Sequence, residues 1–338
     1  MMPRALLLLI ALLPAACASE PSNLFDTLKP TEGPHVELHY LGNGGWIMRR
    51  GPDRIATAPF VSNPHGLTLM FPGGPNKALI DEVVPPMRDV GIILIGHGHY
   101  DHAMDLPYVA TTKAPTAKIY GSTTVVNTLA AVPALDGRLR EIKAADAASG
   151  TRPGQWVTNE TGRIRFMPLT STHAPHFLGL KLIPWWTVDE KQTKLPCCPY
   201  WWKEGQTYAF LIDFLDAGGN VEFRVYYQDA ASKPGFGILP ELEGRDKAPV
   251  DVAILCVAAF NQVDNNPEHI LDSVKPRRVV GGHWEDFFFQ SYSARPFRPA
   301  FGTSLETFHR RARAVSPSRP IHLPEPGTKL LVPIETRR

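Results

Sequence analysis

Apolar and polar positions alternate in short segments along most of the chain. Residues 36–40, 45–49 and 55–58 are rich in Val, Ile, Tyr and Trp and are parted by Gly- or Pro-containing turns, which predicts three strands. Residues 90–95 (Val-Gly-Ile-Ile-Leu-Ile) form a nearly unbroken apolar run, the pattern of a strand covered on both faces. Further strands are predicted at 163–171, 208–214, 221–229, 250–257 and 278–282, and helices at 122–131, 267–274 and 304–315. The last helix carries several Arg on a solvated face. Strands come in two batches, split by a polar, aromatic insert near 184–206. No repeat, low-complexity tract or linker interrupts residues 19–338, so a single α/β domain is expected there. Pro accounts for 33 of 338 residues, roughly twice the usual ~5%, which fits short elements joined by stiff turns.

The first eighteen residues follow another pattern. Arg4 precedes an apolar run from Ala5 to Leu13. As a helix that run covers only about 14 Å, too short for a bilayer core of ~30 Å. A basic start, a short apolar stretch and small residues after it read as a secretory signal. Leu13-Pro14-Ala15-Ala16-Cys17 resembles a bacterial lipobox, which implies a lipidated Cys17 as the mature N-terminus. Ala18 after it implies sorting to the outer membrane, facing the periplasm. Ordinary cleavage after Ala18, giving a soluble periplasmic or secreted protein, is the alternative. In an oxidising compartment Cys197 and Cys198 could form a vicinal disulfide or simply be buried, and Cys256 reads as a core residue.

Charge narrows the function classes. With 35 Lys+Arg against 33 Asp+Glu the formal charge is +2, and 43% of residues are hydrophobic. That balance excludes a disordered chain, a membrane bundle and a strongly basic nucleic-acid binder.

Chemistry is concentrated after the apolar run, in Gly96-His97-Gly98-His99-Tyr100-Asp101-His102. In extended chain His97 and His99 project to one side, and a following helical turn brings Asp101 and His102 to a neighbouring point. Imidazoles with carboxylates suit Zn, Fe, Mn or similar ions. More ligands are required, and three predicted strands end in one: His173, Asp229 and His283. His176 is a rival to His173, whose place at the strand end favours it.

This order of residues resembles the metallo-β-lactamase superfamily. Tyr100 within the motif, Trp284 after His283 and the 250–257, 267–270 segments are similar to the branch containing N-acyl-phosphatidylethanolamine phospholipase D and related lactonases. The resemblance spans about residues 36–290 and implies an αββα sandwich with two divalent metals, zinc in the first instance and Mn or Fe otherwise. By it, His97, His99 and His173 hold the first metal; Asp101, His102 and His283 hold the second; Asp229 bridges them. The branch usually has Asp-Pro after the third strand, where this chain has Ala58-Pro59, and Ala230 replaces a common hydroxyl residue.

Two metals sharing a water supply hydroxide at neutral pH and steady a developing oxyanion. Asp101 would help orient that nucleophile, and His176 and His269 are candidates for the general acid. Glu285 and Asp286 are candidate partners of the ligands. The expected activity is hydrolysis of an ester, lactone or phosphodiester. The alternatives are an iron-dependent oxidoreductase on the same scaffold, a β-lactamase, and a binding lipoprotein with a vestigial site. Four Trp in the insert suggest an apolar wall for a small-molecule or lipid-like substrate. Nucleic acid is not an expected substrate; the expected membrane contact is the lipid on Cys17, and the aromatics of the insert could instead dip into a lipid interface. Oligomeric state is left open by the sequence.

Overall fold

The computed structural model describes residues 24–335 except Pro30 and Phe177. The expected signal sequence and Cys17 therefore lie outside the described residues. Among the described residues, fourteen strands form two seven-stranded mixed sheets. The first sheet contains β1 (His35–Gly42), β2 (Gly45–Arg50), β3 (Asp53–Thr57), β4 (Val90–Leu94), β5 (Lys118–Gly121), β6 (Leu139–Glu141) and β14 (Lys329–Pro333), in the order β14-β1-β2-β3-β4-β5-β6. The second contains β7 (Val157–Thr158), β8 (Ile164–Ser171), β9 (Thr207–Leu215), β10 (Val221–Gln228), β11 (Val252–Cys256), β12 (Arg278–Gly282) and β13 (Ile321–His322), in the order β13-β12-β11-β10-β9-β8-β7.

Alternation along the strands sorts residues into two cores. Leu38, Tyr40, Trp46, Met48, Ile55, Ile92 and Leu94 meet the second sheet across the sandwich interior. Their neighbours Ile47, Ala56, Ile93 and Ile95 point the other way and are covered by α1 (Lys77–Val83), α3 (Leu106–Thr112) and α4 (Thr123–Leu129). The predicted double burial of residues 90–95 follows from this, since side chains on a strand alternate between faces. On the second sheet, α5 (Glu268–Val274) and α6 (Leu305–Val315) contribute Ile270, Leu271, Phe308 and Ala312 to its core. Helix, sheet, sheet, helix is the αββα arrangement that the resemblance implies.

All the predicted strands and helices form, with ends displaced by a few residues. The strands β5, β6, β7, β13 and β14 were not anticipated. They are short, most contain charged or small residues, and they form because a longer neighbour offers a free edge. The helices α1 and α3 were likewise not anticipated, while the helical turn expected after His99 forms as α2 (Tyr100–Ala103). Cys256 is buried as expected. Cys197 and Cys198 are unbridged, with their sulfurs 3.9 Å apart.

Candidate metal centre

Topology explains why distant residues converge. In the second sheet β8 and β10 are each antiparallel to β9, and β10, β11 and β12 are mutually parallel. The chain therefore leaves β8, β10 and β12 at the same edge, carrying His173, Asp229 and His283 there. The loop after β4 reaches that edge from the first sheet. It is tied across by the Tyr208 N–H on the Gly96 carbonyl and the Gly98 N–H on the Glu204 carbonyl, both 2.8 Å. His99 is extended and opens α2, so Asp101 and His102 fall in its single turn. Gly96 has to be glycine, because a Cβ there would sit 2.3 Å from the Cβ of Asp229.

His97, His99 and His173 each offer a nitrogen, and the three lie within 4.8 Å of one another. Their other nitrogens are engaged, which assigns the protons. His97 Nδ1–H donates to Asp229 Oδ2 at 2.9 Å, leaving a buried, unpartnered Nε2. His173 Nδ1–H donates to the Ala174 carbonyl at 2.6 Å, and His99 Nε2–H points to the Pro184 carbonyl at 3.3 Å. Each imidazole thus keeps a lone pair for a cation, oriented by a bond on the far side of the ring. Burial and neighbouring imidazoles push His97 down to about 3 and His99 well below the ordinary histidine range, and burial lowers His173 as well. All three are neutral at pH 7, as ligation demands. The donor set fits a metal ion.

A second group, His97, Asp101 and His102, also satisfies ligand spacing. His283 joins it, with Nε2 3.1 Å from Asp101 Oδ2 and an unpartnered Nδ1. Burial disfavours charge on His102, yet Asp229 and Asp101 on either side outweigh it and hold its pKa up at about 10, so a cation held by His102 would displace its proton. The distances are 3.0 Å from Nδ1 to Asp229 and 3.3 Å from Nε2 to Asp101. Burial raises both carboxylates in isolation, but the His102 charge, with hydrogen bonds from His283 to Asp101 and from His97 to Asp229, holds them well below the usual range. Asp229 spans the two groups, with one oxygen toward His97 and the other toward His102.

Other residues hold these ligands in place. Tyr227 donates from its hydroxyl to Asp229 and lies 2.8 Å from the Gly44 carbonyl. Tyr40 accepts the His283 N–H at 2.7 Å. Glu285 accepts from Tyr40 and from the backbone of Asn43 and Trp284, so it braces the turn after His283. Sequence reasoning missed Tyr40 and Tyr227, since both sit in ordinary strand patterns. Their only signal was a tyrosine at an inward-facing position, where a buried hydroxyl needs a partner. Asp286 accepts the N–H groups of Phe288 and Phe289, the next turn of the chain, rather than bonding to a ligand.

His176 lines the same cleft as His99, Asp101, His173, Asp229 and His283. His269 does not: it sits on α5 with Nδ1 2.7 Å from the Asn265 carbonyl, and the cleft is lined without it. The insert also departs from expectation. Trp202 is 2% exposed and belongs to the core under the first sheet, whereas Trp201 is 45% exposed. Of the insert, the cleft wall itself includes neither; its apolar lining comes from Ile183, Phe287, Phe288 and Phe301.

No protein-family model matches the sequence, and no curated protein matches it. Solved structures do. A point variant of the CmlA β-hydroxylase overlays at a TM-score of 0.50 and 14% identity, covering 90% of this chain and 55% of that one; a second structure of CmlA, from Streptomyces venezuelae, is titled a diiron β-hydroxylase. A metallo hydrolase from the archaeon Ignicoccus hospitalis overlays at 0.46 and 13% identity, covering 89% and 99% of the two chains. YhfI from Bacillus subtilis, titled a metallo-β-lactamase fold protein, overlays at 0.46 and 13% identity, covering 87% and 98%. The fold is an αββα sandwich. At such identities the overlays speak to fold alone.

Proposed function

We propose that this chain is a binuclear metal-dependent hydrolase that cleaves an ester, lactone or phosphodiester bond in a substrate with an apolar portion. The observation that carries this reading is the convergence of three neutral imidazoles, each with a lone pair free, beside a carboxylate-rich second group. His97, His99 and His173 would hold one cation; Asp101, His102 and His283 would hold the other, with Asp229 between them. Bound divalent cations polarise the electrophilic oxygen and make hydroxide available near neutral pH. Asp101 and Asp229 offset the cationic charge. Ile183, Phe287, Phe288 and Phe301 give the substrate's apolar portion a surface to lie on. A histidine-rich set suits zinc and equally suits iron, which makes an iron-dependent oxidoreductase the second reading. Export and anchoring through a lipid on Cys17 belong to the same proposal and rest on the sequence.

The experiment is turnover by protein lacking residues 1–18, together with its metal content by mass spectrometry. Substrates would be p-nitrophenyl esters, bis-p-nitrophenyl phosphate, lactones and a chromogenic β-lactam, each with added zinc and with chelator. Chelator-sensitive hydrolysis on the ester, lactone or phosphodiester panel is expected. Iron as the bound metal with silence on every panel would replace this reading by the second.

A further inference from the structure

His176 is left over once the ligands are assigned. Its ring centroid lies 5.5 Å from that of His99 and 5.1 Å from that of His173. By position it could be a ligand or a proton donor, and its hydrogen bonds point to neither. The Leu182 N–H donates to His176 Nδ1 at 3.0 Å, so Nδ1 carries a lone pair. A neutral imidazole has one N–H, and here it must sit on Nε2. That atom is buried and has no partner among the described residues, while the residue lines the cleft. The arrangement is built locally: the His176 N–H donates to the Leu180 carbonyl at 2.9 Å, two residues before the Leu182 amide that meets the ring. His173, three residues earlier, has the opposite tautomer, with its proton on Nδ1 and its lone pair on Nε2. Within one loop, then, one imidazole is prepared to bind a cation and the other to donate a hydrogen bond.

We propose that His176 is a fixed Nε2–H donor to the substrate oxygen that gains negative charge during cleavage, and is neither a metal ligand nor the proton source for the leaving group. This rests on the hydrolase reading above. A donor already oriented and shielded from water needs no reorganisation, and its bond strengthens as charge builds on the acceptor. The proton stays on Nε2 throughout. An Nε2–H cannot coordinate a cation. The bond from Leu182 also favours the neutral ring, because a protonated Nδ1 would face an amide hydrogen.

The test compares wild type, His176→Ala and His176→Gln, each loaded with metal. Both variants should retain the wild-type metal content. His176→Ala should lose about 100- to 1,000-fold in kcat/KM, the usual cost of one such donor. His176→Gln, with an amide N–H of similar reach, should regain at least ~10-fold of that loss. The loss should be as large for p-nitrophenyl substrates as for alkyl ones, because p-nitrophenolate departs without a proton. Long-range 1H–15N spectra of wild type should show a protonated Nε2 and a bare Nδ1. Phenylphosphonate, used as an oxyanion probe, should shift that Nε2–H resonance and bind at least ~10-fold more weakly to His176→Ala. Loss of a metal from His176→Ala, a protonated Nδ1, or a defect confined to alkyl leaving groups would overturn the proposal. Absence of turnover by wild type sinks the hydrolase reading instead, and the spectra and the phosphonate titration still judge His176.

Discussion

Tyr40 and His283, from different sheets, are joined by a 2.7 Å hydrogen bond from the His283 amide to the Tyr40 hydroxyl, which in turn donates to Glu285 at 2.6 Å. His283 has a left-handed backbone, φ 52°, a conformation that a non-glycine residue keeps only when its surroundings hold it. A residue on β1 thus fixes the turn that presents a candidate ligand from the end of β12. Tyr40→Phe should leave the buried His283 amide unpaired at a cost of about 1–3 kcal/mol in denaturant unfolding. It should also weaken the second metal about 10- to 100-fold, as loss of such supporting bonds does elsewhere. A metal titration with unchanged affinity at both positions would contradict this account of the turn.

His99→Ala removes one of the three convergent nitrogens and leaves both sheets intact. Metal content should fall from two ions toward one, with an unchanged circular dichroism spectrum. Turnover should drop beyond the ~1,000-fold that loss of a single hydrogen-bond donor can cost. Full activity in a metal-replete variant would remove His99 from the centre.

Asp105, three residues after His102, offers a pH signature of its own. It is buried and accepts from the Val61 and Ser62 amides and the Ser62 hydroxyl. Burial outweighs these bonds and raises its pKa from 3.8 to about 6. Between those values the native state binds more protons than the unfolded chain, so stability falls as pH rises through that window and stays lower above it. The effect is at most about 3 kcal/mol. Asp105→Asn should flatten this part of the stability profile, seen by urea unfolding between pH 4 and pH 7; an unaltered slope would place the titration on another group.

The adjacent Trp201 and Trp202 should separate cleanly. Trp202→Ala opens a cavity in the core under the first sheet and should cost about 3–5 kcal/mol. Trp201 is largely solvent-exposed, so Trp201→Ala should change stability by less than about 0.5 kcal/mol. Equal thermal shifts in the two variants would mean that the insert packs differently.

The sequence by itself determined whatever depends on near neighbours. Alternation in residues 90–95 specified a strand buried on both faces, and the spacing of His97, His99, Asp101 and His102 specified candidate ligands at its end, because side-chain direction repeats every two residues in a strand and shifts in a helical turn. His173, Asp229 and His283 were legible for the same reason, as metal-capable residues closing apolar runs. Tertiary structure decided everything that depends on which strand lies beside which. The order β12-β11-β10-β9-β8 brings the three strand ends to one edge, the packing of the first sheet on the second places Tyr40 under His283, and the fold leaves His269 outside the cleft. It also divided Trp202 from Trp201, which composition cannot distinguish. Finally, the proton positions on His173 and His176 are set by the Ala174 carbonyl and the Leu182 amide. A histidine's chemistry depends on which nitrogen is bare, and that is fixed by the hydrogen-bonding group the fold sets beside the ring.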